Sequence, residues 1–148
     1  MAEFIENLIE VINADKILDE IKSQGSYSFS NIMKIEFCIE ENIFNESRSV
    51  LYLDFKVSFS KSKSILLAKI KFNNVSNLCL NKLANNIDIS EGLYIHDMKN
   101  EPMDWPNEER FHIHDDSGYG QNDGYMYIDF YCESIEAIGL EEFPYEDF

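Results

Sequence analysis

The chain has 148 residues, of which 45% are hydrophobic and 14% are aromatic, and 28 acidic against 12 basic residues give it a formal net charge of −16. This length is typical of one domain with its own hydrophobic core, and the aromatic content is too high for a disordered chain. The acidic potential repels phosphate groups, which disfavours nucleic acids and anionic membranes as partners.

The N-terminal region is predicted to be helical over residues 3–23. Apolar residues recur at helical spacing between Ile5 and Ile12, with polar residues on the other side. Beyond Asn13 the apolar positions no longer continue the same stripe, which predicts a kink or a division into two short helices near residues 13–15. Gly25 is a suitable end signal, because glycine accepts the left-handed conformation that terminates helices.

From residue 32 onward the period of the apolar residues changes to two, which predicts strands with one buried and one exposed face. Short polar connections join the first three such strands and indicate an antiparallel meander. Residues 75–90 fit either a strand or a short helix. The six segments with the strand pattern are 33–40, 51–59, 65–73, 93–98, 110–114 and 125–132.

These elements predict an α+β fold, in which an N-terminal helix, with a kink allowed, precedes a mainly antiparallel β-sheet of about six strands. We expect a single domain over residues 1–148, because no linker, repeat or low-complexity tract divides the chain. Its parts are a helical segment, an antiparallel sheet and an acidic tail, at residues 1–25, 30–140 and 141–148.

The cysteines and the start of the chain indicate a cytoplasmic protein. Cys38, Cys79 and Cys132 are an odd number of scattered cysteines, which favours reduced thiols over a disulfide framework. The first residues show no basic start followed by an apolar run, so we expect no secretory signal. No apolar run approaches the roughly 18 residues of a membrane span.

Three histidines are the sharpest candidates for chemistry. His112 and His114 share one face of a predicted strand, and His96 lies on the preceding one. If these strands pair, three imidazoles could hold a catalytic zinc ion. The simpler hypothesis puts Phe111 and Ile113 in the core and leaves the histidines on the solvent face, where they could contact a partner. We favour it, and a metal-dependent enzyme or metal-binding domain that uses His96, His112 and His114 is the alternative.

No other pattern amounts to a catalytic signature. Ser117–Gly120 lacks the lysine and the following helix of a phosphate-binding loop. Cys38 and Cys132 lie within predicted strands, where cysteines are usually buried. We therefore expect a protein without enzymatic activity, metal or cofactor.

The acidic residues are distributed unevenly, which predicts an interaction surface for a basic protein, and an acidic surface that only keeps the protein in solution is the alternative. Residues 97–148 contain fifteen acids and two bases, a net charge of −13, whereas residues 1–96 have a net charge of −3. Aromatic anchors dominate many interfaces, so Trp105, which lies among these acids, is included in the predicted contact set, and packing of Trp105 on the core beneath its loop is an equal alternative. That set comprises Asp97, Asp104, Trp105, Glu108, Glu109, Asp115, Asp116, Asp123, Glu133 and Glu136.

Three stretches covering about half of the chain carry a family resemblance: KFNNVSNLCLNKLANNIDISEGLYIHD (71–97), ERFHIHDD (109–116) and YMYIDFYCESIEAI (125–138). With its size and acidity, the chain resembles small bacterial immunity-type proteins of polymorphic or contact-dependent toxin systems. The resemblance implies a non-enzymatic inhibitor that covers the basic active cleft of a cognate nuclease-like toxin domain. It carries over no individual binding residue.

Overall fold

The computed structural model describes residues 3–100, 105–116 and 125–145. This described part contains one α-helix, α1 (Asp15–Ser23), and ten strands. Short 3-10 helices lie at Ile5–Asn7, Met98–Asn100 and Asn107–Glu109. The strands are β1 (Glu3–Phe4), β2 (Val11–Ile12), β3 (Tyr27–Glu41), β4 (Ser47–Phe59), β5 (Ile65–Asn73), β6 (Ser76–Leu80), β7 (Leu93–Asp97), β8 (Phe111–Asp115), β9 (Ile128–Cys132) and β10 (Ser134–Glu142).

The strands form two five-stranded sheets. Sheet A has the order β1-β7-β8-β9-β6, and sheet B has the order β2-β10-β5-β4-β3. All neighbours are antiparallel except β2 and β10. Phe72 of sheet B meets Phe130 of sheet A edge to face, with ring centroids 5.0 Å apart. The apolar faces of the two sheets therefore share one core.

The helix predicted over residues 3–23 is wrong for its first part, because only α1 is α-helical. Leu8, Glu10 and Asn13 have positive φ angles of 50°, 59° and 60°, which break any helix into tight turns. Ile5 and Leu8 are nevertheless buried. Their spacing thus reflects turns that return apolar side chains to the core, and the break predicted near residues 13–15 coincides with the start of α1.

The prediction of one sheet with about six strands is corrected to two sheets with ten strands in the described part. The meander of β3, β4 and β5 is confirmed, as are the later strands, which appear as β7, β8 and β9. Residues 76–80, for which the sequence allows either a strand or a short helix, form β6. Strand β10 extends through the first two residues of the predicted tail. The α+β class holds with a much larger share of strand.

Among the described residues, no helix combines the length and the apolar character that a membrane span requires. The three cysteines are free, with Cys132 buried, Cys38 half-buried and Cys79 exposed.

Candidate functional site

The outward side of sheet A gathers the polar aromatic residues of three neighbouring strands. Strand alternation turns Ile95, Ile113 and Phe130 into the core, so the residues between them point outward. Strand register then places His96 opposite His112, and His112 opposite Tyr131. We call this surface the histidine face and define it by Tyr94, His96, His112, His114, Asp129 and Tyr131.

His96 and His114 form a direct hydrogen bond, with their Nε2 atoms 3.0 Å apart. Nδ1 of His114 lies 3.0 Å from the carbonyl oxygen of Asp115, and a carbonyl can only accept. His114 therefore carries its proton on Nδ1 when neutral and accepts at Nε2, which assigns the donor role to His96. The two imidazoles share one proton between the facing nitrogens.

The third histidine of the face, His112, is positioned by Asp129. Its Oδ1 lies 2.6 Å from Nε2 of His112, which fixes the imidazole beside Tyr131. The rings of His112 and Tyr131 are stacked, with centroids 4.4 Å apart and an angle of 12° between planes. Trp105 extends the aromatic row, with its ring centroid 6.0 Å from that of Tyr131. The result is a flat surface of aromatic rings with a carboxylate among them.

Burial is the largest influence on the pKa values of His96 and Tyr131. It lowers the pKa of His96, with the neighbouring His114 and His112 acting in the same direction. It raises the pKa of Tyr131, and the carboxylates of Asp129 and Glu109 add to that rise. Neutral imidazole and neutral phenol are therefore favoured at His96 and Tyr131.

The lowered pKa of His96 predicts a loss of stability on mild acidification. Below pH 6.5 the unfolded chain takes up a proton at His96 before the folded chain does, which favours unfolding. We expect the urea midpoint of the wild type to fall between pH 7 and pH 5.5, and His96→Gln to reduce that fall. A fall of the same size in the variant would show that His96 does not contribute.

The three histidines do not converge on one point, as a zinc site would require. His96 and His114 face each other, whereas Nε2 of His112 points to Asp129. Across the described ranges, no group of three His, Cys, Asp or Glu side chains is placed to hold a metal ion. The geometric requirement of the metal-site alternative is therefore not met there, although the predicted outward placement of His112 and His114 is correct.

Four of the predicted contact residues lie on or beside the histidine face. Trp105 donates from its indole nitrogen to the carbonyl oxygen of Glu109. Glu108 is exposed and Glu109 half-buried in the adjoining 3-10 helix. Asp116 accepts a hydrogen bond from the hydroxyl of Tyr94 at 3.3 Å.

Asp97 has a different role, because cations already neutralise it. Arg110 lies 3.3 Å from its carboxylate and Lys99 lies 3.4 Å away. Arg110 also reaches Glu10 at 3.6 Å, which ties the N-terminal region to sheet A. Asp97 is thus part of a local charge network at the end of β7.

Asp115 is wrong as a contact residue, because its side chain is buried and only 1% of the residue is exposed. Its carboxylate accepts hydrogen bonds from the backbone N–H groups of Tyr127 and Ile128, each at 3.0 Å. Burial raises the pKa of Asp115 and those N–H groups oppose the rise. Its function is to anchor the start of β9 to the end of β8.

Glu133 and Glu136 do not join the histidine face. Glu133 lies between β9 and β10, where Asn74 donates to its carboxylate at 3.3 Å. Glu136 belongs to β10 and therefore to sheet B. Asp104 and Asp123 lie outside the described residues.

The two sheets differ sharply in basic residues. The five strands of sheet A contain no lysine or arginine, whereas those of sheet B contain Lys34, Arg48, Lys56, Lys69 and Lys71. On sheet B these cations neutralise carboxylates, as in the ion pairs of Lys69 with Asp54 and Glu141 and of Lys71 with Glu40. The carboxylates of sheet A thus have no cation within their own strands, and the two cations that reach Asp97, Lys99 and Arg110, lie just outside the ends of β7 and β8.

Tyr94, Asp129 and Tyr131 are residues of the face that were not predicted. Alternation along residues 125–132 does place Asp129 and Tyr131 on the same side of a strand. The missing information was which strands are neighbours, because alternation within one strand does not reveal its partners.

Comparisons with family models, with curated proteins and with solved structures give no match for this chain.

Proposed function

We propose that the chain is an acidic, non-enzymatic binding protein that docks a basic protein on its histidine face. The observation that carries this proposal is that the five strands described for sheet A contain no lysine or arginine, whereas the five described for sheet B contain five such residues. A cationic surface approaching sheet A meets carboxylates without strand-borne cations to repel it. Complementary potentials of this kind accelerate association and exclude wrongly charged partners.

The aromatic row supports the same function. Tyr131 is stacked on His112 and lies near Trp105, so these rings are already ordered before a partner arrives. Ordered aromatic side chains lose little conformational entropy on binding and can stack with arginine guanidinium groups. Asp129 and Glu109, which flank Tyr131, would pair with the charge of such an arginine.

The class of partner follows from the sequence resemblance and from charge. A nuclease cleft is cationic because it binds phosphate, and a negatively charged aromatic surface complements it. We therefore extend the proposal to an immunity protein that neutralises a cognate nuclease-like toxin by covering its active cleft. In this proposal the protein is cytoplasmic and inhibits without chemistry.

The proposal is tested by titrating a basic nuclease domain, encoded beside the gene for this chain, with the purified protein. We expect cleavage of nucleic acid to stop when one chain is present per nuclease, and inhibition to weaken at high salt because the docking is electrostatic. Inhibition that is insensitive to salt, or no binding to the basic domain, would contradict the proposal.

A further inference from the structure

We infer that the outer edge of β3 pairs with the same edge of a second copy of this chain, forming a two-fold symmetric dimer with a continuous sheet. β3 is the last strand of sheet B and spans fifteen residues. An unpaired edge of this length is a template for pairing unless the protein covers it.

The chain covers only the first part of this edge. The carboxylate of Glu6 accepts from the N–H of Phe29, and the segment containing Ile87 and Ile89 bonds to Ser30 and Ile32. A bulge then interrupts the ladder between Ile32 and Lys34. In the described chain, no strand pairs with the outer edge beyond that bulge.

The uncovered stretch is regular and has its backbone groups directed outward. From Lys34 to Glu40 each residue has one partner in β4. Asn42 donates its N–H across the hairpin to Glu46, and hydrogen-bonded positions alternate with outward-directed ones along an antiparallel pair. Counting back from Asn42, the N–H and C=O groups of Ile35, Phe37 and Ile39 point away from β4.

Two apolar side chains of the same stretch are also exposed. Phe37 is 48% exposed and Ile39 is 61% exposed. Both side chains nevertheless lie on the same face of sheet B as the buried Leu51 and Leu53. An apolar edge of this kind is unusual on a soluble surface unless something covers it.

The sequence of the edge is self-complementary about its midpoint, Phe37. Antiparallel pairing of two copies through this point puts Phe37 opposite Phe37 and Ile35 opposite Ile39 on one side of the sheet. On the other side it puts Lys34 opposite Glu40, whose carboxylate also contacts Arg48 and Lys71 of its own chain, and symmetry makes two such opposite-charge pairs. Moving the centre by one residue to Glu36 would put two glutamates opposite each other, so charge selects this register.

The pairing would also complete the backbone. About six hydrogen bonds would form between the outward groups of Ile35, Phe37 and Ile39 and those of the second copy. This edge belongs to sheet B, so the dimer leaves the outer side of sheet A accessible.

The first test is the molecular mass in solution over a range of protein concentrations, by light scattering or sedimentation. We expect a reversible dimer whose dissociation constant rises about tenfold or more in Lys34→Glu, because both opposite-charge pairs become like-charge pairs. Ile39→Lys should weaken it as well. Lys63→Glu, at an exposed residue of the connection between β4 and β5, is the matched control and should leave the dimer unchanged.

The second test fixes the register by cross-linking, in a chain with Cys38 and Cys79 replaced by serine. A cysteine in place of Phe37 would lie on the two-fold axis, with Cα atoms about 5.5 Å apart, within disulfide range. One in place of Ile39 would lie about 14 Å from its copy, four residues along the strand. We expect oxidation to link Phe37→Cys into dimers and to leave Ile39→Cys unlinked.

Two results would overturn the inference. A chain that stays monomeric at the highest soluble concentration does not pair in this way. A dimer that persists in Lys34→Glu and Ile39→Lys, and that Phe37→Cys fails to cross-link, uses a different surface. If the chain is monomeric and Ile39→Lys instead weakens inhibition of the nuclease, the edge belongs to the partner and self-pairing is likewise overturned.

Discussion

Replacing Asp115 by alanine is expected to lower the free energy of unfolding by about 2–4 kcal/mol, because the buried N–H of Ile128 and the half-buried N–H of Tyr127 lose their acceptor. The carboxylate bonds to the N–H groups of Tyr127 and Ile128, and the residue is 1% exposed. The N–H of Ile128 is buried, so water can replace its lost acceptor only if the junction between β8 and β9 opens. Urea unfolding at neutral pH measures this difference.

Glu108→Ala is the matched control for that experiment, since Glu108 is an exposed acid of the same region. It should change the free energy of unfolding by about 0.5 kcal/mol or less. Asp115→Asn should fall between the two, because the amide retains one acceptor oxygen. If Asp115→Ala proved as stable as the wild type, the carboxylate would not be the anchor of β9.

The second large effect is expected in partner binding. Tyr131→Ala should weaken binding to the basic nuclease domain by about 2–3 kcal/mol, a factor of about 30–150 in the dissociation constant. The reason is that Tyr131 stacks on His112 and lies next to Trp105, at the centre of the proposed contact. Calorimetric titration measures the change.

Tyr52→Ala provides a tyrosine control on sheet B, where the hydroxyl donates to Glu40. It should leave the affinity within about a factor of two, since that surface lies outside the proposed contact. Equal losses in the two variants would place the contact elsewhere, and so would an unchanged affinity in a folded Tyr131→Ala variant.

The sequence predicts individual strands well and their arrangement poorly, for a physical reason. Alternation reports which side of a strand is buried, so the outward direction of His112 and His114 follows from Phe111 and Ile113 alone. Pairing across space depends on contacts between distant residues, such as Phe72 with Phe130, that no local pattern encodes. That is why one sheet was expected where two exist.

The site shows the same division. Counting acids identified the acidic third of the chain but could not separate Asp115, which is buried, from Asp116, which lies at the surface next to it. The prediction of a helix before residue 15 is wrong for a related reason. Ile5 and Leu8 have helical spacing, yet they reach the core through left-handed backbone conformations at Leu8 and Glu10. Tertiary packing therefore overrides the local preference for a helix.

The association rate constant with the basic nuclease domain, measured as a function of ionic strength, tests the central claim most directly. Glu109→Gln with Asp129→Asn removes two charges beside Tyr131, and Glu136→Gln with Glu142→Gln removes two from β10 of sheet B. If the histidine face receives the partner, the first double variant associates more slowly and depends less on salt, while the second stays close to the wild type. Equal slowing in both variants, or slowing only in the second, would contradict docking on sheet A.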